Sequence, residues 1–559
     1  MRRFLVAAAV PALAVLLLGQ TSPPSPDRTG EHPDVLCAVA GRVVTAAEGL
    51  PLKSAHVALI PERSRSDDPI YSATSDSDGH FLLKDIPAGR YKFLAVRAGF
   101  VEQQYQSRGT ADGAVLALNP GQKISDALFR MTRAAVITGS VTNEDGEPLV
   151  NAQIVALQKP TEEETEEEGP ASSRKHELNP VAESHTDDRG QYRIFGLKPG
   201  QYYVKATDVF DPDSNGLPVS TGYWVQQSIG SEYAPVYYPG VGQIGQAVVL
   251  LVRPGDEVRA DVSMRRIKTV EVDGKVMGLN GPAKSAYVTL EPAEQDNFRS
   301  SYQETTDDNG AFKLKGIPPG SYVLVVYQRS EGTEVYEQST RQKLEVAGDN
   351  NQSLTISLTG GVTFDGRLGV AGPASLSLDH VYVGLIATNE DGSWGGQGAV
   401  KKDGTFQIAS VMDGSYRIAL WGLEQGWYVK SARTGAEDIL ENGLQVEKET
   451  AGRLEIVVSS ACAQLEGSVM DGDQVAAGAR VHLAPEPETP YNRLRLDNAR
   501  TDQTGHFSIA CLAPGKYRVV ARLPASQDSD SPKSEPQVVT VSEHDHKTME
   551  LKIVRPESE

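Results

Sequence analysis

A chain of 559 residues has room for several domains, and its formal charge of −20 argues against a nucleic-acid partner, because binding phosphates needs basic stripes. Aromatics make up only 6%, while 53 glycines and 33 prolines suit short strands joined by tight turns. No long segment has the helical period; the apolar segments alternate with period two, as half-buried strands do.

In chain order, Arg2 and Arg3 precede an apolar run from Phe4 to Leu18, the pattern of an export signal. Residues 1–20 are read as a signal peptide and 21–37 as a Pro/Ser-rich linker. The apolar run is short for a membrane span, and nothing later is long and apolar enough, so no transmembrane segment is expected in the mature chain. The expected location is periplasmic, cell-surface or extracellular.

From residue 38 onward one pattern recurs five times. Each copy opens with a strand around a glycine: Gly41, Gly139, Gly274, Gly366 and Gly467. A second apolar strand follows, then T-D-x-x-G-x-F/Y, then an apolar residue shortly before P-G-x-Y. In copy one the last two read Asp78-Gly79-His80-Phe81 and Ile86-Pro87-Ala88-Gly89-Arg90-Tyr91. The period is domain-sized and too long for a solenoid. The predicted units are β-sandwich 1 (38–133), 2 (134–267), 3 (268–359), 4 (360–460) and 5 (461–559). A polar, acidic insertion at 159–180 interrupts unit two and lengthens it. Unit four departs most: Lys402-Asp403 stands in place of Thr-Asp, and Asp413 in place of the turn proline.

Each element has a physical reading. In T-D-x-x-G the Asp bonds local backbone, and Gly takes a positive φ that other residues resist. The next aromatic (Phe81, Tyr192, Phe312, Phe406 or Phe507) points into a core. In P-G-x-Y the proline presets φ, the glycine permits reversal, and the tyrosine (Tyr91, Tyr202, Tyr322, Tyr416 or Tyr517) buries its ring while its hydroxyl finds a partner near the rim. Asp76/Asp78, Asp187/Asp188 and Asp307/Asp308 are turn residues by this reading; the other ligands of a calcium loop are missing.

Together these motifs resemble the carboxypeptidase regulatory-like domain, a seven-stranded prealbumin (transthyretin)-like β-sandwich grouped with carbohydrate-binding-like folds. They also resemble secreted or envelope proteins of soil bacteria built from such modules. The resemblance implies an all-β tandem array of five seven-stranded sandwiches after a signal peptide. It does not bring a peptidase with it. None of the ten histidines opens an H-x-x-E pair, and H-E-x-x-H, G-x-S-x-G and G-x-x-x-x-G-K-[ST] are absent. Glu543-His544-Asp545-His546 is the nearest metal-like cluster and reads as a solvated turn. No catalytic residue, metal ligand or cofactor is assigned, and the chain is expected not to be an enzyme.

Three cysteines remain. Cys462 and Cys511 fall in unit five, at its first strand and just before its P-G-x-Y turn, and are candidates for a disulfide; Cys37 has no counterpart to pair with. The expected role is binding at the cell envelope, with a glycan or an envelope protein as partner. Sugar sites need exposed aromatic platforms beside polar groups. The candidates are Trp224 with Tyr223 in unit two, and Trp394, Trp421 and Trp427 in unit four. The alternative is a spacer or scaffold, with sandwiches set end to end as a rod, or adhesion by strand addition at sheet edges.

Overall fold

The computed structural model describes residues 35–62, 69–107, 113–159, 178–207, 225–226, 233–266, 268–292, 300–329, 336–348, 352–358, 361–388, 394–447, 452–489, 491–492, 497–524 and 532–555. The predicted signal peptide, nearly all of the predicted linker, the acidic insertion between 160 and 177, Tyr223 and Trp224 lie outside the described residues.

The chain is a succession of β-sandwiches. Five hydrophobic cores follow one another, spanning 37–131, 135–264, 270–358, 364–458 and 463–553. Each core lies between two sheets. In the first sheet the opening strand is central. In module one Cys37–Thr45 runs antiparallel to His80–Ile86 and parallel to the closing strand Lys123–Met131. The same pairing recurs around Ala135–Thr142, Val270–Gly278, Val362–Ala371 and Ala463–Asp471. In the second sheet the second strand pairs antiparallel with the one after P-G, as His56–Pro61 does with Gly89–Val96. Two short pieces, Gln103–Gln104 and Val115–Leu118, complete this sheet as one interrupted edge.

The repeated residues are explained by contacts across the opening strand. Its glycine sits opposite the turn aromatic in every module: Gly41 by Phe81, Gly139 by Tyr192, Gly274 by Phe312, Gly366 by Phe406 and Gly467 by Phe507. A β-carbon on Gly274 or Gly467 would meet the Phe312 or Phe507 ring at 2.8 or 2.7 Å, so only glycine lets the ring cover the strand. The turn glycines Gly79, Gly190, Gly310, Gly404 and Gly505 have φ between 70° and 82°, and a side chain there would strike the opening strand's carbonyls. The tyrosine hydroxyl has one partner throughout. It donates to the carbonyl four residues earlier, from Tyr91 to Pro87 (2.8 Å) through Tyr517 to Ala513 (2.8 Å).

The glycine of P-G-x-Y lies at the turn into the second sheet, with φ of 158°, 159° and 156° at Gly200, Gly320 and Gly414, and the tyrosine ring packs against it, 3.4 Å from the β-carbon position at Gly89, Gly414 and Gly515. A left-handed φ lies just before this turn, at a bulge residue: Asp85 (58°), Gly196 (81°), Gly316 (69°) and Ser410 (57°). One reading is corrected. In module four, Val400-Lys401, not Lys402-Asp403, occupies the Thr-Asp position. Val400 N bonds Val381 O and Lys401 N bonds Thr405 O, as their counterparts do elsewhere, and Asp403 accepts from the Thr405 amide and hydroxyl instead.

Modules four and five add to the plan. In module four Tyr428–Thr434 joins the first sheet beside the closing strand Arg453–Ser459, and a short helix, Ile439–Asn442, is capped by the Asp438 carboxylate. In module five Lys533–Ser534 pairs with both Gly515–Arg522 and His546–Val554, joining its two sheets along one edge. Cys462 and Cys511 form a disulfide with Cα atoms 4.7 Å apart, and Cys511 stands where the other modules have the bulge residue. Cys37 is free and buried.

Candidate functional site

The outer face of module four's second sheet carries the most distinctive surface. Strand Tyr382–Ala387 lies between Trp394–Ala399 and Gly414–Trp421. Alternation turns Val383, Leu385, Tyr416 and Ile418 inward, where all are buried. Tyr382 and Trp421 therefore face outward. They are directly opposite each other, and each is 37% exposed. The next pair along the face is Gly384 and Ala419, and the Trp421 ring lies over Gly384, with ring carbons 2.6 and 2.8 Å from where a β-carbon would stand. Glycine thus seats the indole against the backbone while the ring remains open to solvent. Beyond it come Ile386 opposite Arg417, with Gln397 opposite Gly384 on the outer strand; Arg417 is half-exposed and Gln397 exposed. An aromatic surface next to a guanidinium and an amide is chemically suited to a polar ligand with an apolar face.

Module three repeats the arrangement. Tyr287 and Tyr327 occupy the same register position and stack, with centroids 5.2 Å apart and planes 20° from parallel. Tyr287 is 41% exposed. The corresponding pairs elsewhere are His56/Val96, Gln153/Thr207 and Arg480/Arg522, so the aromatic pair is confined to modules three and four.

The predicted site residues divide. Trp421 is on this face. Trp427 is not: it is partly buried against the module-four core. Trp394 pairs with Ile386 through its backbone. In module two, Tyr233 and Tyr237, near the Trp224 segment, are buried. Tyr233 belongs to the main core, and Tyr237 covers Val155 and Leu157 on the sheet's outer face, with the Lys205 ammonium 5.7 Å from its ring. Sequence reasoning missed Tyr287, Tyr327 and Tyr382. The signal was the alternation counted from the P-G-x-Y glycine: Tyr327 and Trp421 stand seven residues after Gly320 and Gly414, on the outward side.

The metal-like clusters are used locally. Asp76, Asp78 and His80 lie together and are exposed, but Asp76 Oδ1 already accepts from the Asp78 and His80 amides. Glu543 pairs with Lys430 at 2.7 Å, and that ammonium holds its carboxyl below the usual range. Asp545 caps the Ser542 amide, and His546 faces Glu466 at 3.3 Å. A polar groove of about 550 Å³ on module four's other sheet is lined by Asp365, Lys401, Gln407 and Arg453.

Residues 38–121 and 136–222 match the carboxypeptidase regulatory-like domain family, and the chain carries two such domains, in modules one and two. No curated protein matches the chain. Among solved structures it is similar to a streptococcal ancillary pilin at 11% identity and TM-score 0.21, covering 58% of this chain and 99% of that one. The minor pilin of Streptococcus agalactiae is 15% identical with TM-score 0.22, over 41% and 96% of the two chains. A protein from Pseudomonas aeruginosa described as a putative carbohydrate binding protein is 19% identical with TM-score 0.14, over 16% and 89%. No helix among the described residues is long and apolar enough to cross a membrane.

Proposed function

We propose that this chain is an exported, non-catalytic binding protein of the cell envelope, and that it binds carbohydrate on the outer faces of modules three and four. The observation that carries the reading is the Tyr382–Trp421 pair, with the indole seated over Gly384. A sugar ring presents an apolar face of C–H groups and a rim of hydroxyls. Trp421 would take the face, and Arg417 and Gln397 would serve the rim. The stacked Tyr287 and Tyr327 give module three a second, weaker platform. Two such faces on one chain would raise retention on a repeating polymer through avidity. The signal-like pattern of Arg2 and Arg3 before the apolar run Phe4 to Leu18 supports the location.

A scaffold role is the second reading, favoured by a specific observation. Modules four and five are joined by only three residues, between Arg453–Ser459 and Ala463–Asp471, and Glu543 takes hydrogen bonds from both Tyr428 and Lys430 across the junction. Sedimentation of the mature chain with insoluble polysaccharides and peptidoglycan separates the two. Carbohydrate binding predicts selective retention that Trp421→Ala weakens by about tenfold, equivalent to about 1.4 kcal/mol. No retention on any polymer leaves the scaffold role.

A further inference from the structure

Modules one and five are far apart in sequence, yet they touch. In module one the strand Val115–Leu118 is a sheet edge: it pairs with Gly89–Lys92 on one side. Its other side meets the T-D-x-x-G turn of module five. Val115 forms a parallel bridge with Asp502, and its amide donates to Thr501 O at 3.4 Å. The Gln503 amide answers both backbone groups of one residue, accepting from Ala117 N at 2.9 Å and donating to Ala117 O at 2.8 Å. Arg90 donates to Arg500 O at 3.2 Å and places its guanidinium 3.5 Å from the Asp502 carboxylate. Gly478 packs so closely on Gly113 and Ala114 that a β-carbon there would lie 3.1 Å from both.

Comparison among the five copies shows that this contact is specific. The turn position is exposed in modules one to four, at Asp76, Asp187, Asp307 and Lys401, whereas Asp502 is 4% exposed. The residue after it is Ser77, Asp188, Asp308 or Lys402 elsewhere; only Gln503 carries an amide that can both donate and accept. The residue after the P-G glycine is Gln201, Ser321, Ser415 or Lys516 elsewhere; only module one has an arginine, Arg90. The two departures from the shared pattern meet each other. The contact also covers a strand edge that would otherwise be open to pairing.

We propose that the edge strand of module one is a docking surface for the turn of module five in the same chain, so that the five sandwiches close head to tail instead of standing as a rod. Closure would fix modules three and four in the arc between the joined ends. The occupant is the chain's own module five because the matching residues are all encoded in this chain and linkage makes their encounter intramolecular.

The test uses the full mature chain with Cys37→Ala and spin labels on cysteines at Asn119 and Asn498, outside the contacts. Pulsed electron resonance should give one short, narrow distance between modules one and five, independent of protein concentration. Arg90→Ala with Gln503→Ala should abolish that distance and enlarge the radius of gyration without moving the melting temperature. The equivalent module-two changes, Asp188→Ala with Gln201→Ala, should leave the distance in place. If the double variant melts early, Gln503→Glu alone, which sets a carboxylate against the Ala117 carbonyl, should abolish the distance too. The proposal is overturned if the parent lacks the short distance or if the Arg90/Gln503 variant keeps it. It is equally overturned if the distance appears only between singly labelled copies that have been mixed.

Discussion

At the scale of single residues, the shared pattern is a set of obligatory contacts. The threonine of T-D-x-x-G shows this best. Thr501 accepts from Ala479 N at 2.8 Å and donates to Ala476 O at 2.6 Å, and Ser75, Thr186 and Thr306 clamp the same turn in their modules. Thr501→Val keeps the shape and strands a buried amide, so it should cost module five about 1–3 kcal/mol, read from its denaturant midpoint. Module four, where Val400 already stands in this place, has no such clamp to lose. The aspartate beside it sets an acid response. Amides of Gln191 and Arg189 lower the Asp187 pKa, and amides of Ala311 and Asn309 lower that of Asp307. A carboxylate depressed in the folded state contributes stability that is complete above its unfolded pKa of about 3.9 and is lost as pH falls through the folded value. Melting temperatures measured from pH 5 down to pH 2 should therefore fall less steeply in Asp187→Asn/Asp307→Asn than in the parent. Turn glycines and inward aromatics were legible in the sequence because local geometry demands them. The clamp was not, since its partners lie 20 to 37 residues away and hydrogen bonding of a hydroxyl leaves no periodic trace.

At the scale of strands, order and pairing follow from the repeat, and the departures come from what each module adds. Period-two alternation marks the core faces, but nothing in composition distinguishes the outward Tyr287, Tyr327 and Tyr382 among 20 tyrosines, whereas tryptophan occurs only four times. Trp427 differs from Trp421 in burial because it leads directly into Tyr428–Thr434, a strand of the opposite sheet. The Cys462–Cys511 bond closes a loop of 49 residues in module five, where the other modules rely on a left-handed bulge residue. Reduction should lower the stability of that module by up to about 4 kcal/mol on loop entropy. Proteolysis with and without reductant would register this as cleavage confined to residues beyond 460. Cleavage spread evenly along the chain would contradict it.

At the scale of the whole molecule, five sandwiches were readable from five copies of one motif, but their mutual placement was not. Strand grammar specifies what packs inside a module; the contact between modules one and five rests on Arg90 and Gln503, positions at which the motif tolerates any residue. Whether binding belongs to the outer face of module four is the central question, and Trp421 and Trp427 provide a matched pair for answering it. The most direct measurement is the sedimentation isotherm of the mature chain on whichever polysaccharide retains it, for the parent, Trp421→Ala and Trp427→Ala. Binding at this face predicts that Trp421→Ala weakens retention by about tenfold at unchanged melting temperature, whereas Trp427→Ala lowers the melting temperature of module four and leaves the affinity of the folded protein near the parent's. Equal retention by the parent and a folded Trp421→Ala would contradict it.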